Sequence, residues 1–175
     1  MILEKWLLPD EVFPDFCHVT PELLRERGIW FIFSDIDNTL ATYDDPTPPP
    51  DTVRWFRDME EAGIRVVFVS NNDRERARIF ARPLGCPYYG KARKPLRGTL
   101  KRAMREAGAE AGESLLLGDQ LLTDGAAGKR CGMTVFIVPP IRDKTTLFWR
   151  VKRRIEKPYM AEFARRRTMR GREGK

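Results

Sequence analysis

Cysteine, histidine and long apolar runs are all scarce, and each scarcity removes a class of answer. The thiols are Cys17, Cys86 and Cys131, widely spaced and without a C-x-x-C pair. An odd, scattered set of this kind argues for reduced thiols in a cytoplasmic compartment. His18 is the single histidine. It lies outside any metal-ligand spacing and reads as a structural or surface residue. The apolar runs are only a few residues long, against the ~20 that a bilayer span requires. Met1–Leu8 is apolar but carries Glu4 and Lys5, and no small-residue cleavage site follows it. It is therefore expected to belong to the fold and not to a signal peptide. Internal repeats and low-complexity linkers are absent, and 175 residues, 42% apolar, fit one domain with extra segments. Acidic side chains are scarce at one end only. Residues 142–175 carry 13 basic and 4 acidic groups, a formal +9, whereas the whole chain is +7 and the remainder sums to −2. Any argument from basicity concerns this tail.

What is present is organised around Ile29–Leu40, I-W-F-I-F-S-D-I-D-N-T-L. The unbroken apolar run Ile29–Phe33 enters from Gly28 and reads as a strand buried on both faces. It stops at Asp35 and Asp37, two carboxylates whose spacing lets both project the same way. The carboxyl edge of an open α/β sheet is where ligands bind. Before this stretch, Thr20-Pro21-Glu22 looks like an N-cap, an N1 proline and an acidic first turn, giving a short helix Pro21–Arg27 that ends at Gly28. After it, the proline-rich loop can be neither helix nor central strand. Asp51 is then expected to cap a helix Thr52–Ala62, and Ile64–Val69 to be a second buried strand ending at Ser70-Asn71-Asn72. A basic helix from Arg74 to about Pro83 follows, with Ile79 and Phe80 inward. Further elements are a short strand Pro87–Tyr89, a helix Leu96–Ala107, a strand Ser114–Leu117, a helix Asp124–Cys131 and a strand Thr134–Val138. Beyond Thr145 a basic helix sets Leu147, Val151 and Ile155 on one face, with Pro158 interrupting it. Alternating strands and helices predict an α/β fold with a doubly wound parallel sheet and right-handed crossovers.

Three strands thus end in polar groups of complementary kinds. Asp35, Asp37 and Thr39 follow the first, Ser70 and Asn71 the next, and Asp119 and Asp124 a third, within G-D-Q-L-L-T-D. Lys94 sits in K-P at the start of a helix between them. Singly, each has a plain structural explanation: a cap, a solvated charge, a turn residue. Jointly they place four carboxylates, a hydroxyl and an ammonium at one sheet edge. Phosphate-ester hydrolysis suits that set. Clustered carboxylates bind a hard cation such as Mg²⁺, and a carboxylate nucleophile can form an aspartyl-phosphate. A second carboxylate can protonate the leaving alkoxide and then activate water. The hydroxyl, lysine and backbone N–H groups oppose the charge of the transferring phosphoryl group.

D-I-D-N-T-L, V-V-F-V-S-N-N, K-P and G-D-Q-L-L-T-D resemble, in order, the four motifs of the haloacid dehalogenase (HAD) superfamily of phosphatases. The flanks L-L-P-D-E, T-P-E-L-L-R-E-R-G-I, K-P-L and V-P-P-I extend the resemblance to the subfamily IIIA proteins known as YqeG-like, over roughly Leu3–Arg154. That family is in turn similar to mitochondrial phosphatidylglycerophosphate phosphatases. The resemblance implies a HAD-like catalytic core at 29–141, preceded by an arm at 1–28 packing on it and followed by a basic helix and tail at 142–175. It also implies Asp35 as nucleophile, Asp37 as general acid/base and Thr39 as support for the first loop. Ser70, Asn71 and Lys94 would hold phosphate, and Mg²⁺ would be bound by Asp35, Asp119 and the backbone carbonyl of Asp37. Asp124 would coordinate through water or orient Lys94. The gaps Leu40–Ile64 and Asn72–Lys94 are too short for a folded cap domain once each βαβ crossover is subtracted. A capless, open site favours a phosphate carried on something large.

The tail admits three readings. Its basic residues interleave with Phe148, Trp149, Val151, Ile155, Tyr159, Met160 and Phe163, a pattern that suits peripheral contact with anionic lipid at the inner face of a membrane. The same charge suits nucleic-acid or ribosome association. It also suits a packed helix with a solvated end. A soluble phosphomonoester is the remaining substrate option.

Overall fold

Three central strands carry the molecule. In the computed structural model, which describes residues 4–142 and 154–165, β2 (Phe31–Ser34) lies between β3 (Arg65–Val69) and β5 (Ser114–Gly118). Phe33 is in register with Val67 on one side and Leu116 on the other. With β1 (Glu11–Val12), β4 (Tyr88–Tyr89) and β6 (Thr134–Ile137) they form one sheet in the order β1-β6-β5-β2-β3-β4. Every pairing is parallel. The unbroken apolar runs follow from this. Ile32 points into a core layer with Ile36, Phe56, Met59, Phe68 and Leu115. Phe33 points the opposite way, into a layer with Val67, Leu100, Leu116 and Val135. A strand covered on both faces has no position to give to polar side chains. The helices that cover it are α1 (Glu4–Leu7), α2 (Pro21–Glu26), α3 (Pro50–Glu61), α4 (Arg74–Ala81), α5 (Gly98–Ala107) and α6 (Ala126–Cys131). A seventh, α7, runs over residues 154–165. The chain winds outward from β2 through β3 to β4 and then crosses back to β5, so the winding reverses at the β2–β5 gap, where ligands bind in such sheets.

The differences from the sequence reading are local. Asp51 does not cap α3. The helix starts two residues earlier, with Pro50 as its first residue and Pro49 as the flanking residue, and Asp51 pairs instead with Arg54 at 2.8 Å. Consecutive prolines already hold φ near helical values, so no side-chain cap is needed. Ile79 is not inward: it is 38% exposed, whereas Phe80 is fully buried beside Ala77 and Ala81. Neighbouring helical residues point about 100° apart, so Ile79 and Phe80 cannot share one narrow face. Leu96 lies in a turn ahead of α5. The segment expected to be helical from Asp124 opens as a wide π turn, Leu121–Gly125, before α6. Glu11–Val12 was not recognised as a strand, because two residues carry no visible period. Leu147 and Val151 lie outside the described residues. In α7, Ile155 is 49% exposed and Pro158 sits inside the helix without ending it. Glu156 is buried there, and Tyr159 and Met160 pack on the core. Among the described residues, no helix is long and apolar enough to cross a membrane.

Candidate active site

The first loop is an extension of β2. The Asp35 N–H donates to the carbonyl of Leu117 at 2.9 Å, continuing the ladder one residue past the strand. Ile36 turns into the core, so Asp35 and Asp37 emerge together on the other side. The chain then reverses at Asn38, which adopts φ +66° and donates its N–H to the carbonyl of Ala41 at 2.7 Å. Asparagine tolerates this left-handed conformation far better than a branched residue.

Two poles form around these carboxylates. At the first, Lys94 Nζ lies 2.7 Å from Asp35 Oδ1 and 2.6 Å from Asp124 Oδ1. Asp35, Asp119 and Asp124 are buried, and each offers a carboxylate oxygen within 4.8 Å of the others. Gly118 makes this possible, since a Cβ there would overlap the Asp124 side chain. The π turn supplies the offset that returns Asp124 toward β5. Burial, with the repulsion of Asp124 added, overrides the pull of Lys94 and pushes the Asp35 carboxyl up to about 7. Asp119 is raised well above the usual range by burial and then by Asp124 and Asp35. Burial works against charge on Lys94, but Asp124 and Asp35 outweigh it and hold the ammonium above its ordinary value. With all three carboxylates ionised, one lysine would leave the pole with a formal charge of −2. A buried, all-oxygen set with excess negative charge fits a hard divalent cation.

At the second pole, Asp37 Oδ2 accepts from Ser70 Oγ and from Asn72 Nδ2, both at 3.3 Å. Its Oδ1 accepts from Nε and Nη2 of Arg76, both at 3.2 Å. The same guanidinium donates to the carbonyls of Thr42, at 3.0 Å, and of Asp45. Arg76 therefore ties the loop after Asp37 to α4. The sequence reading missed it, because in a basic helix it looked like one more solvated charge. A usable signal was present: Asp73 caps α4, accepting from the Arg76 N–H at 2.8 Å, which puts Arg76 in the first turn above the end of β3.

The remaining expected site residues divide. Asn71 lies at the site but spends both ends of its amide on the backbone of Lys94, accepting from its N–H at 2.7 Å and donating to its carbonyl at 3.0 Å. It fixes the lysine and does not aim into the cleft. Thr39 Oγ1 is buried without a hydrogen-bond partner among the described residues. Tyr43, also missed, lies at the mouth: its phenol is raised by burial and then by the fields of Asp37, Asp35, Asp119 and Asp124. Among the described residues, neither Ser34–Pro50 nor Val69–Arg74 contains an inserted domain.

A parallel sheet with an acidic triad and a buried lysine at its switch point defines a class, and comparison with known proteins agrees. Residues 22–132 match the family of haloacid dehalogenase-like hydrolases, and the chain belongs to that family. It is 38% identical over 165 residues to the Bacillus subtilis protein named "Probable phosphatase YqeG", covering 94% of this chain and 96% of that one. It is also 30% identical to chloroplastic phosphatidylglycerophosphate phosphatase 1 of Chlamydomonas reinhardtii, over 89% of this chain but only 62% of that longer protein. In fold it resembles the cobalt-bound deoxy-D-mannose-octulosonate 8-phosphate phosphatase of Haemophilus influenzae. The TM-score is 0.53 at 15% identity, with 79% of this chain and 91% of that chain covered. The protein is a HAD-type phosphatase.

Proposed function

We propose that the protein hydrolyses phosphomonoesters with Mg²⁺ through an aspartyl-phosphate on Asp35, and that phosphatidylglycerophosphate is its substrate. The contact that supports the mechanism most is Lys94 Nζ at 2.7 Å from Asp35 Oδ1 within the buried triad. Asp35, Asp119 and Asp124 would hold the ion, which when bound supplies charge neutralisation for the phosphoryl oxygens. In the first step an Asp35 carboxylate oxygen forms a bond to phosphorus and the ester P–O bond breaks. Asp37 gives its proton to the departing alkoxide. In the second step Asp37, now a carboxylate, takes a proton from water as that water attacks phosphorus. Inorganic phosphate leaves, and Asp35 and protonated Asp37 are restored. Ser70, the N–H groups of the first loop and Lys94 oppose the phosphoryl charge. Asn71 holds Lys94 in place, Thr39 supports the first loop, and Arg76 orients Asp37.

The acid role has its own expected outcome. Asp37→Asn should slow an alkyl phosphate at least tenfold more than p-nitrophenyl phosphate, whose leaving anion hardly needs a proton. Equal losses on both, measured as kcat/KM, would remove Asp37 from that role.

The lipid reading draws on the lack of an inserted cap domain among the described residues, on the chloroplastic relative and on the +9 formal charge of residues 142–175. It places the core at 29–141 in the cytoplasm, with the tail at 142–175 in peripheral contact with anionic lipid. Each basic residue near such a surface contributes about 1 kcal/mol. A variant ending after Arg165, the last described residue of α7, loses Arg166, Arg167, Arg170, Arg172 and Lys175. It should still release phosphate from soluble esters but lose salt-sensitive co-sedimentation with anionic vesicles. If the full chain hydrolyses a soluble ester briskly yet neither sediments with vesicles nor cleaves phosphatidylglycerophosphate in them, the lipid substrate is wrong. Salt-sensitive RNA retention in its place would favour nucleic-acid association.

A further inference from the structure

The loop that carries Lys94 runs over the Asp37 pole. It leaves β4 at Gly90, where a Cβ would come within 2.5 Å of Arg74 Cα, so the chain there lies directly against the start of α4. The Lys91 N–H then donates to the Asn72 carbonyl at 2.6 Å, and the Ala92 N–H to the Ser70 carbonyl at 2.9 Å. Ser70 and Asn72 are the residues whose side chains donate to Asp37 Oδ2. The Lys91 backbone is therefore joined to Asp37 through a single residue.

Side chains alternate along this loop. Ala92 and Lys94 are buried, whereas Lys91 and Arg93 are exposed. The outward pair sits on backbone that neither residue favours: Lys91 has φ +50° and Arg93 φ +58°. A side chain in this left-handed region costs conformational energy that glycine would avoid. Strain of this kind collects at ligand clamps. The other cations at this edge are already engaged, Lys94 with Asp35 and Asp124, and Arg76 with Asp37. Lys91 and Arg93 have no side-chain hydrogen bond or ion pair among the described residues. Two strained, exposed cations thus stand beside the carboxylate at which the leaving group departs.

We propose that Lys91 and Arg93 form a cationic subsite for a second anionic group on the leaving alcohol, so that preferred substrates carry a phosphodiester or a further phosphate a few bonds from the scissile ester. The inference rests on the hydrolase reading above, which puts the departing oxygen at Asp37. The phosphoryl group sits at Asp35 and Lys94, the alcohol leaves past Asp37, and its second anion meets the ends of Lys91 and Arg93. A guanidinium offers a phosphate two parallel donors, and an ammonium offers it a point charge. Phosphatidylglycerophosphate meets the requirement, because only a glycerol unit separates its terminal phosphate from its phosphodiester.

The test compares propanediol bisphosphate with hydroxypropyl phosphate, which differ only in the second phosphate, using the full chain with Mg²⁺. kcat/KM should favour the bisphosphate at least tenfold, the scale of hydrogen bonds to charged groups. Lys91→Gly and Arg93→Gly together should lower that ratio at least fivefold. Glycine suits the positive φ at both positions, so the melting temperature of the double variant should not fall. Arg105→Ala removes an exposed cation from the far end of α5 and should leave the ratio as in the wild type. Phosphatidylglycerophosphate dispersed in neutral detergent separates the two sources of the second anion. A parallel loss of rate on it in the double variant assigns the subsite to a lipid phosphodiester, and a loss on the bisphosphate alone assigns it to a soluble phosphate. Either result upholds the subsite. Equal kcat/KM on the two soluble esters in the wild type would overturn it and leave the hydrolase reading standing. A preference that the double variant retains would overturn its location. No phosphate released from any ester would overturn the hydrolase reading, and the subsite with it.

Discussion

Asp35→Asn should lower kcat at least a thousandfold and leave the protein folded and no less stable. The amide is nearly isosteric with the carboxylate but is a poor nucleophile and a weaker ligand for a hard cation. Stability should move the other way from activity. Burial raises the Asp35 carboxyl to about 7, so keeping it ionised at neutral pH costs folding free energy. A neutral amide removes that cost, and Lys94 retains Asp124 at 2.6 Å as its partner. The melting temperature of the metal-free variant at pH 7.5 should therefore equal or exceed that of the wild type, as expected where a site is built for function at the expense of stability. Circular dichroism and phosphate release on one preparation check both halves. A folded variant retaining more than a few per cent of the wild-type rate would show that Asp35 is not the nucleophile.

Removing Mg²⁺ with EDTA should abolish turnover, and restoring it should recover the full rate. Ca²⁺ should inhibit, since its larger, looser shell displaces the attacking carboxylate relative to phosphorus. Affinity for Mg²⁺ should also depend on pH over an unusually high range. The ion needs Asp35 and Asp119 ionised, and both are raised in its absence. Because the folded value for Asp35 lies above the unfolded one, metal-free stability is greatest below the unfolded value. It falls as pH rises toward the folded value, then stays flat. Mg²⁺ binding runs opposite, because protons compete with the ion for the same oxygens. The Mg²⁺ midpoint, followed by thermal shift, should be at least tenfold weaker at pH 5.5 than at pH 8. Ordinary carboxylates, with values near 4, would show almost no change over that range. A flat response, or full activity in chelator, would remove the metal from the Asp35–Asp119–Asp124 cluster.

The legibility of this site follows from how local its parts are. Asp35 and Asp37 are separated by one residue on a strand end, so their common direction is set by the pleat alone. Ser70, Asp119 and Asp124 follow strands whose apolar runs mark them as buried. Glycines mark the ends of α2 and α5, where Gly28 and Gly108 adopt positive φ. Arg76 and Glu156 were illegible for the opposite reason. Each belongs to a helix whose charges look alike in sequence, and each acquires its role from a partner 39 or 34 residues away. The misplacement of Ile79 has the same origin: two adjacent apolar residues on a helix leave the inward one undecided until the sheet is in place.

The sequence by itself determined the class. Buried runs ending in acids, the alternation of strands and helices, and the short gaps between motifs specify a capless parallel α/β sheet with its chemistry at one edge, because each depends on contacts within a few residues. Only the tertiary structure decided how the edge is wired. Lys94 joins Asp35 to Asp124, Asn71 clamps Lys94, Arg76 holds Asp37, and Glu156 of α7 accepts the Leu122 N–H. These contacts join residues far apart in the chain, and they form only when strands β2, β3, β5 and β6 bring their carboxyl ends together.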